Sequence, residues 1–400
     1  MGIVLLLFFL SLLPQWVGAQ RAPFIPTQVK HEDYRLPNGP RVMLVQVPDA
    51  ERVVSRILVN AGGRHDPDNA TGLAHYLEHM LFKGTQELGT TDNAKEKVHL
   101  QAIETLYEQL AKTPKEEERA ALLAKIDAES RAASHYVIAN EFDQLMEDMG
   151  CAEVNAHTYR DFTTYESAFP TQQLHRWLLL HQHRFERPVF RTFAHELEVV
   201  YEEKRRILRN WTDELHGAVF TQHPYGTHTT IGRTEHLLNP SLRQMQAFYD
   251  KYYVPANMVL LLAGNLDMAQ TRQLIEQTLG KWPAKPAPSV VPVAEPKVQG
   301  IVKKQLNFYT ETELTFAAYH LPGLADVDYP LLQLMEKILE VAENELYTYN
   351  HREHSVWVTP AEGLGGEPKA IRRLKGDNLS KDLIETAVNH LLTEAEMAVN

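Results

Sequence analysis

Three residues within a short run have the types and spacing for hydrolytic chemistry: His75, Glu78 and His79, between Gly72 and Gly84. If this segment is helical, positions i, i+3 and i+4 share one face, so two imidazoles and one carboxylate point at one spot. Zinc catalysis uses such a set, because neutral nitrogens hold the ion and a nearby carboxylate takes a proton from water. The pattern H-x-x-E-H therefore predicts a zinc-peptidase helix, with the reverse order of H-E-x-x-H.

The bare five-residue pattern could also arise by chance, since the chain has 19 histidines and 52 acidic residues. The neighbouring residues argue against chance because most of them are apolar: Ala74, Leu77, Met80, Leu81 and Phe82. An apolar segment is predicted to be buried, and buried His and Glu side chains need partners. A metal ion supplies such a partner.

A third protein ligand is expected from the run 196–206, which is rich in glutamate. Glu196 and Glu203 are separated by two helical turns, and they share a face with two valines. An acidic residue on an apolar face needs an explanation, and metal binding supplies one. The alternative is an amphipathic surface helix whose acids pair with Lys204 and Arg206. The upstream motif favours the metal site over this alternative.

Several further segments extend the pattern beyond one motif. They are Tyr34–Gly39, Val42–Val45, Val59–Asp66, Asn155–Thr158, Thr163–Tyr165, His223–Gly226, Ile231–Gly232, Tyr252–Met258 and Ala263–Gly264. Together with the H-x-x-E-H segment between Gly72 and Gly84, these segments resemble the insulinase/pitrilysin family of zinc metallopeptidases, which includes the mitochondrial processing peptidases. The resemblance covers roughly residues 30 to 340.

This resemblance implies roles for individual residues of the site. His75 and His79 would be zinc ligands, and Glu203 would be the distal zinc ligand. Glu78 would be the catalytic general base. Glu196, the second acidic residue assigned to catalysis, would support the site without binding the metal itself. The implied cofactor is Zn²⁺.

The resemblance also implies a function, a substrate and a partner. The function would be zinc-dependent endopeptidase activity on peptides or unfolded polypeptides, with Asn155 and Ala156 pairing with an extended substrate by β-strand addition. Family members enclose substrate between two related halves, so a second half or subunit that closes the chamber is an expected partner. The alternative is a non-catalytic or partner-dependent peptide-binding subunit of a peptidase complex. Zinc content would separate a scaffold from an enzyme.

The elements that must position these residues predict an α+β fold. We expect two related α/β-sandwich-like domains, each a mainly antiparallel sheet with helices packed on it, the second incomplete. The catalytic domain would cover residues 20–282, with a helical insertion at about residues 95–145. Within that insertion, Thr113 is predicted to cap a helix that has Pro114 at its first position.

Five prolines between Pro283 and Pro296 predict a linker over residues 283–297. Residues 298–400 would then form a second, inactive family-type domain. That domain is shorter than the resemblance leads us to expect, which predicts a divergent ending or a fragment of a longer protein.

Composition excludes some other classes of protein. A net charge of −12, with no basic run and no zinc-finger cysteine spacing, excludes a general nucleic-acid binder. The single cysteine, Cys151, excludes an intramolecular disulfide.

The N-terminal segment, residues 1–19, is predicted to be a secretory signal peptide. Ile3–Leu13 is almost entirely apolar, Pro14 follows it, and small residues precede Gln20. We therefore expect an exported protein, periplasmic or extracellular. The alternative is an uncleaved N-terminal anchor.

Overall fold

The computed structural model describes residues 30–206, 211–289, 291–297, 302, 304, 316–341, 346–360 and 387. The predicted signal peptide and most of the residues after 360 lie outside this part of the chain. Among the described helices, none combines the length and the apolar character needed to cross a membrane.

A six-stranded sheet forms the framework of the first part of the chain. Its strands, in order across the sheet, are β1 (His31–Arg35), β2 (Arg41–Gln46), β6 (Met258–Gly264), β3 (Arg52–Val59), β5 (Thr163–Pro170) and β4 (Ala152–Thr158). Strands β2 and β6 are parallel, and the other neighbouring pairs are antiparallel. Burial alternates along β3, as expected for a strand with one face on the core. The predicted α+β class with a mainly antiparallel sheet is confirmed.

Helices surround this sheet, and most of them share one apolar core with it. They are α1 (Leu73–Met80), α2 (Asn93–Leu110), α3 (Glu116–Ser134), α4 (Glu141–Asp148), α5 (Leu174–Glu186), α6 (Phe193–Arg206), α7 (Trp211–Val219), α8 (Pro224–Thr227), α9 (Thr234–Leu237), α10 (Leu242–Tyr252) and α11 (Met268–Gln277). Leu77, Trp177 and Phe248 are buried in the same cluster as the strand residues Val42 and Leu260. Because α1 is part of this core, the side chains that it carries are held rigidly against the sheet. Leu215, Phe220 and Tyr225 pack instead with Val356 and Val358 in a second cluster.

The predicted insertion is helical, but one of its helices begins later than expected. Helix α3 starts at Glu116, and its N-cap is Lys115, which makes no side-chain cap bond. The predicted cap at Thr113 with Pro114 at the first helical position is therefore wrong. The physical reason is that the Thr113 hydroxyl donates to the carbonyl of Gln109 at 2.8 Å, at the end of the preceding helix.

A smaller three-stranded sheet follows the proline-rich segment. Its antiparallel strands, in order, are β7 (Phe316–Pro322), β9 (His354–Pro360) and β8 (Tyr347–Asn350). Helix α12 (Tyr329–Val341) packs Leu332 and Leu339 against Trp357 of this sheet.

The described residues of the proline-rich segment form neither helix nor strand, but the segment is anchored. The Glu295 carboxylate accepts three consecutive backbone N–H groups, from Thr221, Gln222 and His223, at 2.7 to 3.0 Å. Although burial opposes ionisation, these bonds hold the pKa of Glu295 below its usual value.

Candidate active site

Helix α1 is fixed at its N-terminus by a buried carboxylate. The N-cap residue is Gly72, which has a φ of 89° and no side chain that could cap the helix. Instead, Asp66 accepts the N–H groups of Gly72 at 2.7 Å and Ala74 at 2.8 Å. These donors would otherwise be unpaired at the start of the helix. Burial raises the pKa of Asp66, against the lowering effect of these hydrogen bonds. Asp66 thus determines where the first turn of α1 sits.

Three candidate ligand atoms converge beside α1. The Nε2 atoms of His75 and His79 lie 3.3 Å apart, and each lies 3.6 Å from Oε2 of Glu203. A tetrahedral zinc site with bonds of about 2.0–2.1 Å has ligand atoms roughly 3.3 Å apart. The spacing and the chemistry of this donor set therefore fit zinc.

His79 is oriented by an acid on helix α6. Its Nδ1 lies 2.9 Å from Oε1 of Glu196, and the other carboxylate oxygen lies 2.6 Å from Nζ of Lys83. A carboxylate only accepts, so Nδ1 carries the proton and Nε2 keeps its lone pair toward the metal position. Burial opposes protonation, but the bond to Glu196 raises the pKa of His79 overall. Burial also opposes ionisation of Glu196, but His79 and Lys83 lower its pKa.

Burial favours the neutral form of His75. Burial, together with the neighbouring His79, lowers the pKa of His75 to about 3. A neutral imidazole is the form that binds zinc, so this protonation state suits His75 as a candidate ligand.

Glu78 lies on the same helix, and its carboxylate is buried. Its Oε2 accepts a hydrogen bond from the Thr158 hydroxyl at 2.6 Å, which ties it to the end of strand β4. Burial raises the pKa of Glu78, against the lowering effect of this bond. A carboxyl with a raised pKa is suited to both accepting and returning a proton.

Strand β4, which carries Asn155 and Ala156, is the edge strand of the large sheet beside these residues. A register shift between Ala152 and Asn155 disturbs its pairing with β5. The Asn155 side-chain oxygen accepts the N–H of Ala156 at 2.9 Å. A peptide that pairs here would therefore have to replace that local bond.

A loop before α9 holds the start of α1 against helix α6. Gly72 and Gly232 both have positive φ, and a Cβ added to Gly232 would lie 2.7 Å from Cα of Gly72. The Thr71 hydroxyl accepts the N–H of Arg233 at 2.9 Å. Lys204, next to Glu203 on α6, donates to the carbonyl of Gly232 at 2.5 Å. Both helices that carry the candidate ligands are thus fixed to one loop.

The cleft is lined by α1, α6 and β4, and also by residues of the small sheet and the loop that follows β8. Tyr349, His351 and Arg352 line the same cleft as His75 and strand β4. The backbone N–H of Arg352 donates to Asp161 at 3.0 Å. Sequence reasoning assigns no role to these residues, because only folding brings them to the cleft.

The small sheet is tied to the turn before α1 by a buried arginine. Arg64 lies 3.0 Å from Asp161 and 2.7 Å from Glu353. Glu353 also lies 3.0 Å from Nε2 of His223. The geometry of the cleft therefore depends on contacts between the two sheets.

A second group, His223, Glu353 and His354, also has its donor atoms within 4.8 Å of one another. The N–H of Tyr225 donates to Nδ1 of His223 at 3.1 Å, so the neutral ring carries its proton on Nε2. That Nε2 donates to Glu353 and has no lone pair for a metal. This group is a hydrogen-bonded contact between the two sheets.

The structure thus brings together His75, Glu78, His79, Glu196 and Glu203, and it places Asn155 and Ala156 along the same cleft. Sequence reasoning missed Asp66, Lys83 and Thr158 as parts of the site. Thr158 ends the Asn155–Thr158 segment, so its position was a usable signal. Nothing in the sequence alone pairs Lys83 with Glu196.

Two family models match the chain. The model described as insulinase, peptidase family M16, matches residues 41–101, and the model described as the peptidase M16 inactive domain matches residues 241–359. The first match contains the H-x-x-E-H helix. The second runs across the predicted linker.

Individual relatives and structures agree with these matches. The uncharacterised zinc protease YmxG of Bacillus subtilis is 23% identical over 258 residues, 63% of this chain and 50% of that protein. The crystal structure of a Helicobacter pylori protease has a TM-score of 0.65, with 19% identity, and the match covers 93% of this chain and 86% of that chain. The periplasmic protease PqqL of Escherichia coli has a TM-score of 0.62, with 18% identity, and the match covers 94% of this chain and 41% of that chain.

At 19% and 18% identity, the similarities to these two solved structures show that the fold is shared. The chain spans about half the length of the curated relatives it matches.

Proposed function

Since the chain belongs to the insulinase family of peptidases, M16, we propose that it is a zinc-dependent endopeptidase acting on peptides or unfolded polypeptides. The single observation that carries the proposal is the meeting of His75, His79 and Glu203 at 3.3 to 3.6 Å, beside the buried carboxylate of Glu78. A donor set and a general base in one cleft match the needs of metal-assisted hydrolysis.

His75, His79 and Glu203 would hold the zinc ion. Zinc, when bound, supplies Lewis-acid polarisation of the scissile carbonyl and a lower pKa for the attacking water. Glu196 acts through His79: it fixes the ring by the bond to Nδ1 and so directs Nε2 to the metal position. Lys83 offsets the charge of Glu196 from the cleft side.

Glu78 would move the proton. The Thr158 hydroxyl occupies Oε2 of Glu78, which leaves Oε1 to accept a proton from the attacking water. The same carboxyl then donates that proton to the leaving amine. The bond to Thr158 also couples the base to strand β4, so a peptide lying along this strand is held near the base.

Substrate would bind in an extended form along the edge strand β4. Within the described residues no further strand pairs with this edge, so it offers main-chain donors and acceptors around Asn155 and Ala156. Such pairing recognises backbone conformation more than side chains. The small sheet, through Tyr349 and Arg352, closes the cleft from the opposite side.

A second half or subunit is the proposed partner. The match to PqqL covers less than half of that chain, which supports a larger assembly around the cleft. PqqL is named a periplasmic protease, which supports export of this chain as well. The domain division proposed for this chain remains residues 20–282, 283–297 and 298–400.

The proposal is tested by incubating the zinc-loaded full chain with a mixed library of quenched peptides. Cleavage that vanishes in Glu78→Gln would establish the peptidase. Absence of cleavage despite one zinc per chain would favour the second candidate, a partner-dependent peptide-binding subunit. That candidate draws its support from the short span of the chain relative to its relatives.

A further inference from the structure

The charged side chains that line the cleft nearly all have assigned contacts. Glu78 bonds to Thr158, Glu196 pairs with Lys83, Asp161 with Arg64 and Asp213 with Arg160, and Arg352 reaches Asn60. Glu203 belongs to the donor set. Asp143 also lines the cleft. Within the described part of the chain, no hydrogen bond or ion pair engages its carboxylate.

Asp143 lies in the first turn of α4, the last helix of the predicted insertion. It lines the cleft together with Phe82, which follows α1, and with Val154 and Ala156 of the edge strand β4. A side chain of a peptide lying along β4 could therefore contact these apolar side chains and the carboxylate of Asp143 in the same cleft.

The two cations near Asp143 are both engaged elsewhere. Nζ of Lys83 lies 2.6 Å from Glu196. The Arg184 guanidinium is fully buried and stacks on the rings of Phe82 at 4.0 Å and Phe142 at 4.8 Å. Neither cation forms an ion pair with Asp143 in the described residues.

The ionised carboxylate of Asp143 is not fully stabilised by its surroundings. Burial raises the pKa of Asp143, although Lys83 and Arg184 both attract its ionised form. Partial desolvation and the nearby charge of Glu147 together therefore outweigh the attraction of these two cations. A third cation in hydrogen-bond contact would stabilise the carboxylate directly.

We propose that Asp143 is a specificity-determining residue that binds the ammonium or guanidinium group of a Lys or Arg side chain in a peptide lying along β4. This inference rests on the proposed peptidase function and adds a substrate class to it. The aliphatic part of a Lys or Arg side chain would pack on Phe82 and Val154, while its charge reaches Asp143. A competing explanation is that Asp143 only stabilises the N-terminus of α4 through the helix dipole.

The test compares peptides that differ at one position, which carries Lys, norleucine or Glu in turn. Norleucine matches the aliphatic chain of Lys without its charge. Affinities are measured with the full chain, zinc-loaded, in the Glu78→Gln background, so binding is observed without turnover. We expect Lys to be favoured over norleucine by roughly tenfold at one position, as for a charge-assisted hydrogen bond in a half-buried site.

The decisive variant is Asp143→Asn in the same background, which should reduce the ratio of the Lys to the norleucine affinity to about one. Asp148→Asn is the matched control, because Asp148 is exposed on the same helix and does not line the cleft. It should leave the ratio unchanged. An unchanged ratio in Asp143→Asn with a lowered thermal midpoint would overturn the inference in favour of the helix-dipole role. A wild-type cleft that does not favour Lys at any position would overturn it as well.

Failure of this inference and failure of the proposed function are distinguishable. Cleavage of peptides by the wild-type chain without a preference for basic residues would reject the role of Asp143 alone. A preference in binding that depends on Asp143, without cleavage by the wild-type chain, would support the role of Asp143 and reject the self-sufficient peptidase.

Discussion

The Glu196 carboxylate accepts a hydrogen bond from Nδ1 of His79 at 2.9 Å, although 117 positions separate the two residues in the chain. The bond crosses from helix α6 to helix α1, so it joins the two elements that carry the donor set. Glu203 is on the same helix as Glu196, two turns later. The orientation of one candidate ligand and the position of another therefore depend on the docking of α6 against α1.

We expect Glu196→Ala to weaken zinc binding by about 10–100-fold, because His79 would lose the bond that fixes its ring and tautomer. Competition with a chromophoric chelator measures the affinity directly. Glu198→Ala is the matched control, since Glu198 is exposed on the same helix. Equal zinc affinity in Glu196→Ala and the wild-type chain would remove Glu196 from the site.

Glu78→Gln should abolish peptide hydrolysis and leave zinc bound at one ion per chain. The amide keeps the shape of the side chain but cannot accept the proton from water, and loss of a general base costs roughly 10²–10⁴ in rate. Zinc content by atomic emission and initial rates on one quenched peptide are the measurements. Loss of zinc in this variant would instead make Glu78 a ligand.

Asp66→Ala should lower the free energy of unfolding by about 1–3 kcal/mol, since two buried N–H groups at the start of α1 would lose their acceptor. Urea denaturation of the zinc-free chain measures this without the contribution of the metal. The exposed Asp49→Ala is a suitable comparison and should change stability by less than about 0.5 kcal/mol. Similar stabilities for the two variants would show that Asp66 does not cap the helix.

Acidification should destabilise the chain through a buried histidine pair. Nε2 of His216 and Nε2 of His351 lie 2.8 Å apart, and burial lowers the pKa of each ring to about 3. An unfolded histidine has a pKa near 6.5. The folded chain therefore binds fewer protons between these values, and the stabilising contribution is complete above pH 6.5 and is lost as the pH falls toward 3.

The measurement is the free energy of unfolding of wild type and His351→Gln at pH 7 and pH 5. Each pH unit below about 6.5 should cost up to about 1.4 kcal/mol for each buried histidine. The variant should lose less stability than the wild type over this interval. His195→Gln, at an exposed position, should behave like the wild type. An identical pH dependence in all three proteins would show that His351 is not protonated differently on unfolding.

The part of the site that the sequence predicts is the part that is local. His75, Glu78 and His79 fall on one helix face by spacing alone. Glu196 and Glu203 needed the family resemblance as well, because their distance from α1 depends on how two helices dock. The roles of these residues remain predictions.

The contacts that could not be predicted are those made by folding. The Thr158 hydroxyl, the Lys83 ammonium and the Asp66 carboxylate find their partners only once β4, α6 and α1 are packed together. The cap predicted at Thr113 failed for a similar reason, since the hydroxyl had a closer acceptor in the preceding helix. The wall formed by Tyr349 and Arg352 depends on contacts between two sheets.

The contact between Gly72 and Gly232 has a consequence for protein engineering. A Cβ at Gly232 would lie 2.3 Å from the carbonyl oxygen of Thr71, so even alanine there would displace the first turn of α1. The geometry of the H-x-x-E-H helix therefore depends on a residue outside the helix. A graft that transfers residues 72–84 into another scaffold would carry His75, Glu78 and His79 but would lack the glycine loop that positions the first turn of α1.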